Sequence, residues 1–145
     1  MRFRLLALSV VGAALLAAGC GGEAESGPEG ANEANGKNLF LQGADGKQPC
    51  GSCHTLADAG TASEIGPDLD QAFGYACKQG FDESTFFDVV RAQIDIPGRN
   101  SPMPADLVTG QDAADVAAYV ASVAGKNVAG CGETTTGETT TATDG

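Results

Sequence analysis

Two thiols three positions apart, with an imidazole directly behind them, form the densest chemistry in this 145-residue chain: Cys50-Gly51-Ser52-Cys53-His54. On one helical turn, positions 50 and 53 share a side, and each thiol can add to one vinyl group of a porphyrin to give a thioether. His54 follows four positions after Cys50, so its ring shares that face and can reach an iron at the porphyrin centre. A dithiol oxidoreductase would set the pair between a strand and a helix of a βαβ unit. Here the turn-rich run Gly43-Ala44-Asp45-Gly46-Lys47-Gln48-Pro49 precedes it. A structural zinc site would need a second paired cluster, whereas Cys77 and Cys131 are single and far apart. The spacing therefore points to one covalently attached haem.

Few residues are left for the sixth position of the iron. His54 is the only histidine, so two imidazoles from this chain cannot ligate one iron. Apart from Met1, the only methionine is Met103, inside Ser101-Pro102-Met103-Pro104. The flanking prolines forbid a regular helix or a central strand there and make a stiff loop that could hold a thioether against the metal. Met/His is a standard axial pair. The alternative is a methionine filling a gap in the core. Arg91 and Arg99 are candidate partners for the haem propionates, because guanidinium pairs bidentately with carboxylate; solvated surface arginines are the other reading.

Ordered features over roughly residues 33 to 124 resemble the class I c-type cytochromes: Gly36-Lys37-Asn38-Leu39-Phe40, then Cys50, Cys53 and His54, then Ile65-Gly66-Pro67-Asp68-Leu69, then Met103-Pro104, and Ala117-Ala118-Tyr119-Val120. The resemblance implies an all-α cytochrome c fold, a few helices packed around one haem c. It implies His54 and Met103 as the axial ligands, and the Pro67 carbonyl as acceptor for the other His54 ring nitrogen. It also implies electron transfer between membrane-bound redox proteins, such as a cytochrome bc-type reductase and a terminal oxidase, with no small-molecule substrate. The run from Asp70 to Gly80 matches no segment of that pattern, and its contacts are left unassigned.

The positioning elements can be read from periodicity. Ala31 to Leu41 reads as a helix in which Gly36 permits close approach of a neighbour. Phe81 to Asp95 reads as a second, with Phe86, Phe87, Val90 and Ile94 on an apolar face. Thr109 to about Ala124 is the clearest: Thr109 and Asp112 resemble a capping box, and Val116, Tyr119, Val120 and Val123 fall on one stripe. The first and last helices should cross near Gly36, Phe40 and Tyr119, and no strand pattern is convincing.

The N-terminus predicts export. Arg2 and Arg4 precede an apolar run from Leu5 to Ala18 that is short for a membrane span and has the anatomy of a secretion signal. Leu16-Ala17-Ala18-Gly19-Cys20 resembles the bacterial lipobox, with alanine where leucine is preferred. Residues 1–19 are then a leader and Cys20 a lipidated anchor on the outer face of the cytoplasmic membrane. Ordinary cleavage would instead give a soluble periplasmic or secreted protein. Cys77 and Cys131 remain, and in an exported protein they are expected to pair as a disulfide, the alternative being two separate buried thiols.

Composition divides the chain further. Residues 20–31 read as a flexible tether, 32–131 as the single domain, and 132–145, mostly Thr, Gly and Glu, as a disordered tail. Loss of Arg2 and Arg4 with the leader would take the net charge from −11 to −13. So acidic a surface disfavours nucleic acid and either steers the protein to basic partners or serves solubility. The function expected is single-electron transfer with both axial positions filled. A haem enzyme or a peroxide or gas sensor with an open sixth site, or a fixed subunit of a larger oxidoreductase, are the competing classes.

Overall fold

The computed structural model describes residues 30–131. Within them are four helices: α1 (Glu33–Gln42), α2 (Leu69–Lys78), α3 (Glu83–Asp95) and α4 (Gly110–Val123), with a single 3₁₀ turn at Cys50–Ser52. Among the described residues there is no strand, only isolated bridges pairing Thr55 with Asp68 and Leu56 with Thr61. No helix among them is long and apolar enough to cross a membrane. Cys20, the leader and the Thr-rich tail lie outside the described residues.

The centre of the fold is α4, against which both α1 and α3 pack. Of the expected stripe, Val116, Tyr119 and Val120 are almost fully buried and Val123 is half-buried against the core. Burial extends round the helix to Ala113, Ala117, Ala118 and Ala121, because alanines let neighbours approach from several sides. The crossing with α1 lies where the sequence places it. A Cβ on Gly36 would run into the Asp115 carbonyl and come within 2.9 Å of the Tyr119 Cβ. Phe40, one turn on, meets Tyr119 edge to face with ring centroids 5.9 Å apart.

The helix starts follow side-chain capping. Asn32 accepts from the Asn35 N–H at 3.0 Å, so α1 begins at Glu33, two residues later than Ala31. Asp82 accepts from the Thr85 N–H at 3.0 Å and so sets the start of α3 at Glu83. The capping box expected at Thr109 does not form: Gly110 takes the left-handed region at φ 56, and no side-chain bond closes the turn. Asp112 instead accepts from the Asn35 amide at 3.5 Å. Gly30 and Ala31, expected at the end of the tether, already belong to the fold. The Gly30 carbonyl accepts from Gln111 at 2.9 Å, and Ala31 is buried.

The run from Asp70 to Gly80 is helical for most of its length. Asp68 caps α2 through the Gln71 N–H at 3.1 Å, and Phe73 packs against Phe86 of α3 in a tilted pair with centroids 4.8 Å apart. Cys77 therefore sits in a helix rather than in a loop, and it is bonded to Cys131 beyond the end of α4. Gly74 is required where α2 meets this C-terminal segment, since a Cβ there would come within 2.5 Å of Val128.

Candidate functional site

The Cys50–Ser52 turn and Cys53, which caps it, place the two cysteines on one wall of a cavity of about 450 Å³. Backbone N–H groups of Cys53 and His54 both return to the Cys50 carbonyl, at 3.1 and 3.0 Å, so the motif is wound as a single turn. That winding brings Cys50, Cys53 and His54 to the same cavity, as their spacing requires. Gly51 is needed behind it, because a Cβ would meet Thr61 at 2.7 Å and Phe40 at 3.2 Å. Neither cysteine is part of a disulfide. Burial pushes the Cys50 thiol up to about 11. This is the opposite of the lowered value that makes a dithiol oxidoreductase reactive.

His54 Nδ1 lies 3.0 Å from the Pro67 carbonyl. A carbonyl only accepts, so Nδ1 carries the proton and Nε2 keeps its lone pair for a metal. Gly66 makes this approach possible: a Cβ there would stand 2.8 Å from the His54 Cε1 and 2.9 Å from Nδ1. The Gly66 N–H also donates to the Cys53 carbonyl at 2.7 Å. The Gly66-Pro67 loop is thus tied to the motif at two points.

Met103 reaches the same cavity from the loop between α3 and α4, with Pro102, Pro104 and Leu107 beside it. The remaining walls come from Leu69 and Phe73 of α2, Val90 and Ile94 of α3, and Val116 and Val120 of α4. Ile65 and Val89, both exposed, stand among the lining residues. No Asp, Glu, Lys or Arg is among them. Neither expected propionate partner is brought to the cavity. Arg91 pairs with Asp95 one turn along α3 at 2.6 Å, and Arg99 is exposed in the turn that follows.

These residues fit a porphyrin. The cavity lies in the size range of small-molecule and cofactor sites, and its walls are hydrocarbon apart from a few polar groups. Two thiols, one imidazole with a free Nε2 and one thioether are the donors that covalent haem and six-coordinate iron call for. Cys50 and Cys53 would hold the ring through thioethers, and His54 and Met103 would hold its iron.

One contributor was not legible from the sequence. Asp70 is buried, and its carboxylate clamps two loops. Oδ2 accepts from the Ala57 N–H at 2.6 Å, just beyond the motif, and Oδ1 accepts from the Gly125 N–H at 3.1 Å, just beyond α4. The Asp68 cap followed by Leu69 and Phe73 at i, i+4 was the available signal for the helix that carries it.

The family model described as Cytochrome c matches residues 33–124. No curated protein matches the chain. Among solved structures, the chain is similar to the c-type cytochrome SorU from Sinorhizobium meliloti. The identity is 33%, covering 63% of this chain and 90% of that one, with a TM-score of 0.47.

Proposed function

Because the chain belongs to the cytochrome c family, with haem c as its covalently bound cofactor, we propose that it is a single-electron carrier working outside the cytoplasm between membrane-bound redox proteins. When bound, the haem iron supplies the one-electron couple. The chain's own residues hold that couple at constant geometry. Cys50 and Cys53 would fasten the ring to a single backbone turn, and the proton on His54 Nδ1, held by Pro67, fixes the orientation and tautomer of the imidazole. Met103, lining the same cavity, would supply a thioether to the iron, and a thioether ligand favours the reduced state. The hydrocarbon walls exclude water and disfavour the more highly charged oxidised state.

The observation that carries this reading is the His54–Pro67 bond facing the same cavity as Met103: one ligand is oriented by its own hydrogen bond, and a second, soft ligand is available. A catalytic or gas-sensing haem would call for an acid or base beside an open site. Among the described residues, the cavity wall offers no carboxylate, lysine or arginine, and its one imidazole is His54. Exposed Ile65 and Val89 at the cavity give partners an apolar place to approach. Anchoring through lipid on Cys20 is part of the same proposal and would keep the domain beside membrane partners such as a bc-type reductase and a terminal oxidase.

The test is an absorption spectrum of the holoprotein beside Met103→Ala. The expected result is a weak far-red sulfur-to-iron band in the oxidised wild type that is absent from the variant, whose reduction potential falls. A wild type without that band, binding carbon monoxide readily when reduced, would favour an enzyme or sensor instead. Mass spectrometry of the membrane-derived protein would check Cys20, with an unmodified Cys20 counting against the anchor.

A further inference from the structure

Met103 lies on a stretch, residues 97–108, that has almost no backbone support. Its internal hydrogen bonds are those of Ser101 N–H to the Gly98 carbonyl at 2.7 Å and of Met103 N–H to the Ser101 hydroxyl at 3.1 Å. Among the described residues, one hydrogen bond leaves the stretch: the Lys47 ammonium donates to the carbonyl of Asp106. Asp106 is held in the left-handed region, at φ 57, which residues with a side chain adopt only at a cost. Leu107 and Val108, immediately after it, turn inward to the cavity and the core.

Lys47 comes from a stiff mounting. The Lys47 N–H bonds the Ala44 carbonyl at 2.8 Å across Asp45 and Gly46, which have φ 49 and 75, the signature of a type I′ turn. Gly43 lies so close to this turn that a Cβ would strike the Lys47 carbonyl. Three residues further on is Cys50. One ammonium, held by a rigid turn, therefore ties the loop that opens the haem-attachment motif to the loop that carries Met103.

We propose that Lys47 is a positioning residue, a latch that holds the 97–108 loop closed so that the Met103 thioether keeps the sixth position of the iron. The proposal rests on the reading of Met103 as axial ligand. It assigns the retention of that ligand to a bond made outside the cavity. Releasing the latch leaves the covalent haem and His54 in place and lets the loop open more often, so an added ligand competes better with Met103.

Imidazole binding to the oxidised holoprotein measures that opening, with the far-red band as the direct sign of Met103 ligation. Lys47→Met keeps the apolar stem and removes the donor. It is expected to bind imidazole roughly three- to tenfold more tightly than wild type, the range for one solvent-exposed, charge-assisted bond. Lys47→Arg, which can still donate to the Asp106 carbonyl, should return to the wild-type value. Covalent haem content and helical signal should match wild type in both. An affinity in Lys47→Met equal to wild type, with the band present in both, would reduce Lys47 to a surface cation and overturn the latch. So would an Lys47→Arg variant as open as Lys47→Met. A wild type that lacks the band and binds imidazole as tightly as Met103→Ala would overturn the ligation reading itself, and the latch with it.

Discussion

Tyr119 donates its hydroxyl to Asp58 Oδ1 at 2.7 Å, joining the central helix to the loop just beyond the haem-attachment motif. Lys37 of α1 completes the group, 2.8 Å from the same carboxylate and 5.7 Å above the Tyr119 ring. Three segments thus converge on one carboxylate.

This cluster predicts how stability varies with pH. The Lys37 bond, then the Tyr119 bond, hold the Asp58 carboxyl below its ordinary 3.8. For Asp115, burial pushes upward but is outweighed by the Asn32 N–H and the Asn35 and Gln111 amides, and the net direction is down. Carboxyls lowered by folding contribute stability that is fully present above 3.8 and lost as pH falls through their folded values. Burial, then the Asp58 bond, raise Tyr119 above its ordinary 10.0, so its contribution is full below pH 10 and lost as pH rises beyond it. Melting temperatures of the holoprotein should fall at both extremes. Tyr119→Phe should cost about 1 kcal/mol at neutral pH and flatten the alkaline fall; an unchanged alkaline fall in the variant would refute the assignment.

Gly36→Ala should destabilise the protein although alanine is the better helix former. The gain in propensity is about 1 kcal/mol. The new methyl meets a backbone carbonyl of α4 that cannot swing aside, and overpacking of that kind costs about 1–3 kcal/mol or more. Denaturant unfolding should show a lower midpoint. A stabilised variant would mean that the helix crossing is looser than described.

Gly66→Ala tests the support of His54. The added methyl would press on the imidazole and loosen its bond to Pro67. A weaker hydrogen bond leaves the ring a poorer donor to the oxidised iron. The expected outcome in voltammetry is a changed reduction potential with both thioethers intact. A potential equal to wild type would remove the role given to Pro67.

Asp70→Asn keeps the shape of the side chain and replaces one of its two acceptors with a donor. Either the part-buried Ala57 bond or the buried Gly125 bond is then lost, at a cost of about 1–3 kcal/mol where the N–H is left buried. Hydrogen exchange should speed up at those two amides first. Uniform exchange across the domain would contradict the clamp.

Reduction of the Cys77–Cys131 bond frees a loop with a sequence separation of 54, which in the chain-entropy model costs about 4 kcal/mol. Thioethers resist reductant, so the haem should stay attached while the denaturant midpoint drops. An unchanged midpoint after complete reduction would show that the cross-link adds nothing.

The sequence by itself determined whatever depends on neighbours within one turn. Three residues of fixed spacing bring Cys50, Cys53 and His54 to one wall, and the apolar period of α4 identifies its buried stripe, because local geometry alone sets both. The crossing of α1 and α4 was legible for a related reason: a glycine within a helical pattern marks where another backbone comes close. Tertiary structure decided the rest. Asp70 had no assigned contact until folding placed the Ala57 and Gly125 N–H groups around it. Lys47 and Asp106, 59 positions apart, became partners only when two loops were folded onto the same rim. Pairings of that kind depend on how helices pack and loops close, which a residue's type and its sequence neighbours do not encode.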